Sequence, residues 1–130
     1  MSIYLLDTSV LIDAINGKKN RNRLLLDLAG QQGHTLACCP INVAEVYAGM
    51  RPKEEQQTTA LLKSLQLYPI TFPVAELAGL LKRDYQRSGT ILTLTGTIIA
   101  AVAIHNQLTL LTDNRKHFPM PEINLYPLPT

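Results

Sequence analysis

Three of the ten acidic residues in this 130-residue chain stand where a carboxylate is costly to bury. Asp7 directly follows the apolar run 3–6, Glu45 sits between Val43-Ala44 and Val46-Tyr47, and Asp113 follows Leu110-Leu111-Thr112. Carboxylates in such surroundings need a cation or hydrogen-bond donors. Several of them at neighbouring strand ends repel one another, and a hard divalent ion such as Mg²⁺ relieves that repulsion through oxygen ligation. Carboxylates holding a metal suit phosphodiester hydrolysis, because the metal activates water and offsets charge on the phosphate. Taken singly, each acid has a plainer reading. Asp7 can cap the helix after it, Glu45 can border an amphipathic helix, and Asp113 can be a turn residue. Glu54, Glu55 and Asp84 lie in polar surroundings and read as surface residues.

Other chemistries find less support. His34, His105 and His117 have no partner at zinc spacing, and Cys38-Cys39 lacks a second pair. Gly17-Lys18-Lys19 lacks the earlier glycine of a phosphate-binding loop, and Ser9 lacks the glycines of a nucleophile elbow.

The elements that must position the acids alternate. Apolar runs at 3–6, 35–39, 67–71 and 108–112 read as strands, with 123–128 as an edge strand suited to its prolines. Helical spacing covers 8–15, 21–32, 43–50, 54–65 and 73–87, with Pro40-Ile41-Asn42 as a turn into the third of these. A further helix runs from a polar start at 93–97 to about His105-Asn106, and 113–121 reads as a loop or short helical turn. Such alternation points to an α/β fold with a mostly parallel sheet. Sites in such sheets gather outside the carboxyl ends of the strands, where Asp7 and Thr112-Asp113-Asn114 fall.

The length suits one domain over residues 1–130, and 46% apolar residues suffice for a core. Adjacent Cys38 and Cys39 cannot staple distant segments, so reduced, buried thiols in a reducing, cytoplasmic compartment are expected. The opening apolar run has no basic leader or cleavage site before Asp7, and no signal peptide is expected. No apolar run reaches the roughly 18 residues of a membrane span. A net charge of +2 says little about partners. The basic residues group as Lys18, Lys19, Arg21 and Arg23, then Lys82, Arg83 and Arg87, then Arg115, Lys116 and His117. The first two groups read as solvated faces.

The chain resembles the PIN-domain proteins, and most closely the VapC group of toxins. Leu5-Leu6-Asp7-Thr8-Ser9-Val10-Leu11-Ile12 looks like their opening motif. Asn42-Val43-Ala44-Glu45-Val46-Tyr47-Ala48-Gly49 looks like the second acidic motif. Ile98-Ile99-Ala100-Ala101-Val102-Ala103 looks like the helix after the third acid, and Leu110-Leu111-Thr112-Asp113-Asn114 with Phe118 looks like the last motif. None of the four is specific alone; their order and spacing are. The resemblance implies a PIN-like α/β/α sandwich, Mg²⁺- or Mn²⁺-dependent endoribonuclease activity, a VapB-type antitoxin partner, an RNA substrate and a homodimer. It assigns Asp7 and Glu45 as metal ligands, and Thr112, Asp113 and Asn114 as last-motif site residues. Arg115 and Lys116 then read as phosphate contacts.

One position departs from the pattern. The third acid falls at residue 96, which is Gly96 here. Glycine supplies no ligand and costs roughly 0.5–1 kcal/mol relative to alanine in a helix interior, and no turn at 96 requires it. The expectation is weakened metal binding and little or no cleavage. The loss is either an inactivating exchange, one base from an Asp codon, or the mark of a natural binding module that holds antitoxin or RNA without cutting. An unrelated α/β domain, such as a receiver-like fold, is disfavoured because the paired acids near the first strand are absent.

Overall fold

The computed structural model describes residues 2–128. Five parallel strands form one sheet: β1 (Ile3–Leu6), β2 (Thr35–Cys38), β3 (Gln66–Leu67), β4 (Thr109–Leu111) and β5 (Asn124–Leu125), ordered β3-β2-β1-β4-β5. The chain begins at the centre, builds outward through β2 and β3, then returns past β1 to place β4 and β5. The order therefore reverses between β1 and β4, the switch point where α/β sheets open a crevice. Asp7 and Asp113 leave the two strands that flank it.

Six α-helices cover the sheet: α1 (Thr8–Ile15), α2 (Arg21–Leu26), α3 (Pro40–Gly49), α4 (Glu55–Ser64), α5 (Phe72–Arg87) and α6 (Leu94–His105). Strand alternation splits neighbouring apolar residues between two cores. Leu5, Ala37 and Leu110 face Val74 and Ala78 of α5 and Ile99 to Ala103 of α6. Leu6, Cys38 and Leu111 face Val10 and Leu11 of α1, Leu25 of α2, Val46 of α3 and Leu62 of α4. Both faces of the sheet are thus buried, which is why the strands read as continuous apolar runs. Residues 99–103 of α6 are all buried, and the helix packs against α5, α3 and β4. Its middle is apolar on every side because neighbours cover it all round, while Leu94 and His105 at its ends are exposed.

The differences from expectation are local. The helix read over 21–32 is α-helical only to Leu26, then widens into a π-helical turn over Asp27–Gln31. Pro40 does not sit in a turn; it opens α3 itself, three residues early, because proline suits a first turn whose N–H has no partner. The third and fifth strands are two residues each, being edge strands paired on one side only. Glu54 is buried rather than solvated, closing a short 3₁₀ turn (Pro52–Glu54) in which Arg51 Nη2 bonds its carboxylate at 2.8 Å. Every ladder is parallel, so the sheet is all parallel rather than mostly so.

Candidate active site

The loop from β1 into α1 places Asp7 at a helix N-cap with extended backbone, and its Oδ1 accepts the Thr8 N–H at 2.8 Å. The expected capping role is therefore real, and it occupies one oxygen. The other oxygen faces β4: Thr112 Oγ1 donates to Asp7 Oδ2 at 2.7 Å. Thr112 in turn accepts the Asn114 N–H at 2.9 Å, and Asp7 N–H donates to the Leu111 carbonyl at 3.0 Å. The opening and last motifs, 105 residues apart, are stitched together at the switch point. Asp7 is only 7% exposed, so these donors replace the water it has lost.

Glu45 joins through α1. Thr8 Oγ1 donates to Glu45 Oε1 at 2.7 Å and accepts from Asn42 Nδ2 at 3.0 Å. Fully buried Asn42 is held in turn by the Cys39 N–H, which donates to its Oδ1 at 2.9 Å. A chain of hydrogen bonds thus fixes the hydroxyl that orients Glu45. Ser9 completes the rim: its hydroxyl lies 3.4 Å from Asp7 Oδ2 and accepts Asn114 Nδ2 at 3.4 Å. Asp7, Glu45, Thr112 and Asn114 therefore come together.

Asp113 does not join them. Its carboxylate turns to Arg21, which donates from Nη2 at 2.5 Å and from Nε at 3.3 Å. Arg21 is 6% exposed, which removes it from the solvated face that its sequence cluster suggested. Its Nη1 also donates to the Lys19 carbonyl at 3.3 Å. Lys19 and Asn20 both have left-handed backbone, φ 56° and 55°, a conformation that asparagine tolerates but that costs lysine about 1 kcal/mol or more. The buried guanidinium thus ties a strained turn to the last motif. Arg115 lies in the 3₁₀ turn Arg115–His117, with Nη1 donating to the Tyr126 carbonyl at 3.3 Å, and Lys116 beside it is exposed.

Gly96 occupies the third position of α6, where its N–H donates to the hydroxyl of the N-cap Thr93 at 3.0 Å. A Cβ built on residue 96 would stand 2.8 Å from that same oxygen. The neighbour is a side-chain end that can shift, so the cap accommodates glycine without requiring it.

Among the described residues, no three Asp, Glu, His or Cys side chains form a group able to hold a metal. The donors that remain are Asp7 and Glu45, with Asp113 neutralised by Arg21. Two carboxylates suit Mg²⁺ only in its water-rich mode, where waters and substrate phosphate complete the shell. The residues fit a weakly held ion of that kind, not a closed protein cage.

From sequence, no site role falls to Thr8, Ser9, Asn42 or Arg21, although Ser9 is weighed as a nucleophile and Arg21 as part of a solvated basic face. Arg21 has no signal, its partner being 92 residues away.

A parallel sheet with a carboxylate behind its central strand, a second on the helix after β2 and a threonine-asparagine motif behind β4 defines a class. The chain belongs to the PIN domain family, whose model matches residues 4–121. It is 35% identical to Ribonuclease VapC10 of Mycobacterium tuberculosis over 118 residues, covering 91% of this chain and 87% of that one. Its fold superposes on a chain of the Rickettsia felis VapBC2 complex bound to a promoter DNA fragment with a TM-score of 0.80, 28% identity and coverage of 95% and 97%. A chain of a toxin–antitoxin complex from Klebsiella pneumoniae matches with a TM-score of 0.73, 26% identity and coverage of 92% and 94%.

Proposed function

We propose that the chain is the ribonuclease toxin of a toxin–antitoxin pair, with its metal-dependent step impaired by Gly96. The observation that carries this reading is the hydrogen-bonded convergence of Asp7, Thr112 and Asn114 with Thr8 and Glu45 at the switch point. Similarity to a named ribonuclease and to chains of toxin–antitoxin complexes supports the substrate and the partner class.

Asp7 and Glu45 would hold a Mg²⁺ or Mn²⁺ ion, which when bound activates water and offsets phosphate charge. Around it the chain's own groups have definite tasks. Thr112 and the Thr8 N–H fix the Asp7 carboxylate in one rotamer, and Thr8 fixes Glu45. Asn114 Nδ2, on the exposed rim, is a neutral donor suited to a phosphate oxygen, and Lys116 supplies an exposed cation beside it. A VapB-type antitoxin and a second copy of the chain are the protein partners in this reading. Free, buried Cys38 and Cys39 suit a cytoplasmic setting. Among the described residues, no helix is long and apolar enough to cross a membrane.

A second reading, a binding module that does not cut, is favoured by the missing ligand at residue 96. One experiment separates the two: cleavage of total cellular RNA, with Mg²⁺ or Mn²⁺, by the native chain, by Gly96→Asp, and by Gly96→Asp with Asp7→Ala. Cutting by Gly96→Asp alone, abolished by Asp7→Ala, is the expected result. Normal cutting by the native chain at ordinary Mg²⁺ overturns the impairment. Silence from every variant gives the binding module precedence.

A further inference from the structure

A cavity of about 720 Å³ opens beside the carboxylate site, between the strained turn before α2 and the end of β4. Thr112, Asp113 and Arg115 form its wall on the last-motif side. Lys19 and Arg23 line it from the turn and helix α2, Leu24 and Leu128 give it apolar surface, and Asp27 adds a second carboxylate. Arg21 and Asp113 neutralise each other, so the charge available to a ligand comes from Lys19, Arg23 and Arg115. Lys19 is held only loosely, its ammonium 3.6 Å from Asp13 and its side chain 59% exposed.

We propose that this cavity is a subsite for the backbone of single-stranded RNA, with Lys19 and Arg23 contacting phosphates next to the reacting one. The proposal rests on the ribonuclease reading and extends it to the path of the substrate. Position is the first argument, since a strand reaching Asp7 by way of Thr112 passes this wall. Ligand chemistry is the second. Cations alone would serve any polyanion, but Asp27 also lines the cavity, repels phosphate and carboxylate alike, and favours a ligand that also brings hydroxyl donors. RNA carries phosphates for the cations, bases for the apolar surface, and 2′-hydroxyl donors for a carboxylate. Architecture is the third: Arg21 holds the Lys19 carbonyl, so the strained turn presents Lys19 from a fixed backbone.

The test is fluorescence anisotropy of a labelled, mixed-sequence single-stranded RNA, in EDTA so that nothing is cut, across a salt series. The chains compared are the native one, Lys19→Gln/Arg23→Gln, and Arg83→Gln/Arg87→Gln on α5, which removes equal charge elsewhere. Removing one cation that pairs with a phosphate lowers the slope of log K against log salt by about 0.7 for single strands, so about 1.4 is expected for the cavity pair and no change for the α5 pair. Equal slopes in all three chains, equal reductions in both variants, or no RNA binding by the native chain overturns the proposal. So does an acidic peptide of poly-glutamate that binds the native chain more tightly than RNA and loses that affinity in the cavity variant. Cleavage by Gly96→Asp is read separately. Cutting with unchanged slopes refutes the subsite while the nuclease reading stands; a lowered slope without cutting does the reverse.

Discussion

The Arg21–Asp113 pair gives the sharpest stability test. Its side chains are 7% and 16% exposed, and two hydrogen bonds join them. A buried pair of this kind adds little against an apolar alternative, but removing one partner leaves a charge stranded, at a cost of about 3–5 kcal/mol. Asp113 keeps some access to water, so Arg21→Met should fall near the lower end, about 3 kcal/mol. For a chain of this size that is a drop of roughly 10 °C in Tm. Adding Asp113→Asn to Arg21→Met should restore more than half of the loss, because the stranded charge goes with it. Urea denaturation of the four chains, at pH 7 with m-values compared, closes the double-mutant cycle. A loss below about 1 kcal/mol for Arg21→Met would mean that water screens the pair as at a surface, and the claim that it anchors the turn to the last motif would fail.

Three further outcomes rest on particular side chains. Thr112→Val keeps the shape but leaves Asp7 Oδ2 only its long Ser9 contact and the Asn114 N–H no side-chain partner, so denaturation should show a loss of about 1–3 kcal/mol, while Thr112→Ser restores most of it. The Arg51 guanidinium beside Glu54 lowers its carboxyl pKa from 4.5 to about 2. The stability this gives is present above pH 4.5 and lost as pH falls toward 2, so Glu54→Gln should flatten the fall of Tm over that window. Burial pushes the Cys39 thiol up to about 11 and the Cys38 thiol upward as well. Ellman's reagent at about pH 8 should therefore leave both unlabelled in the folded chain and label both in guanidinium, and stability should decline from about pH 9 toward 11 as only the unfolded chain ionises freely.

How much of this is legible in the sequence depends on the range over which each feature is decided. Asp7 can be found because an apolar strand and a polar helix start meet at one residue, and both are local signals. Glu45 can be found as a charge within an apolar helix, although its orienting hydroxyl on Thr8 lies 37 residues away. The start of α3 is ambiguous in the sequence because proline signals both turns and first helical turns, and only the Cys39–Asn42 cap decides between them. Asp113 groups with the other acids on strand position alone. Its true neighbour is fixed by how α2 docks, and that is tertiary information. Arg21 and Glu54 show the same limit from the other side: sequence context makes both look solvated, and a well-aligned charged partner lets each of them be buried.

At Gly96 the proposed loss of a ligand can be weighed against what the fold itself prefers. Glycine in a helix costs roughly 0.5–1 kcal/mol against alanine, and an Asp near the helix start would add about 0.3–1 kcal/mol from the dipole. On those terms alone the chain should prefer Asp. Yet a Cβ would meet the Thr93 hydroxyl at 2.8 Å, so that hydroxyl must shift and weaken a cap worth at most about 1 kcal/mol. The terms offset to within their own size, so the fold is nearly indifferent to what stands at 96. Stability therefore neither demands glycine nor forbids the acid. In the proposed reading, the difference between the two falls on metal binding, which the Gly96→Asp cleavage test reads directly.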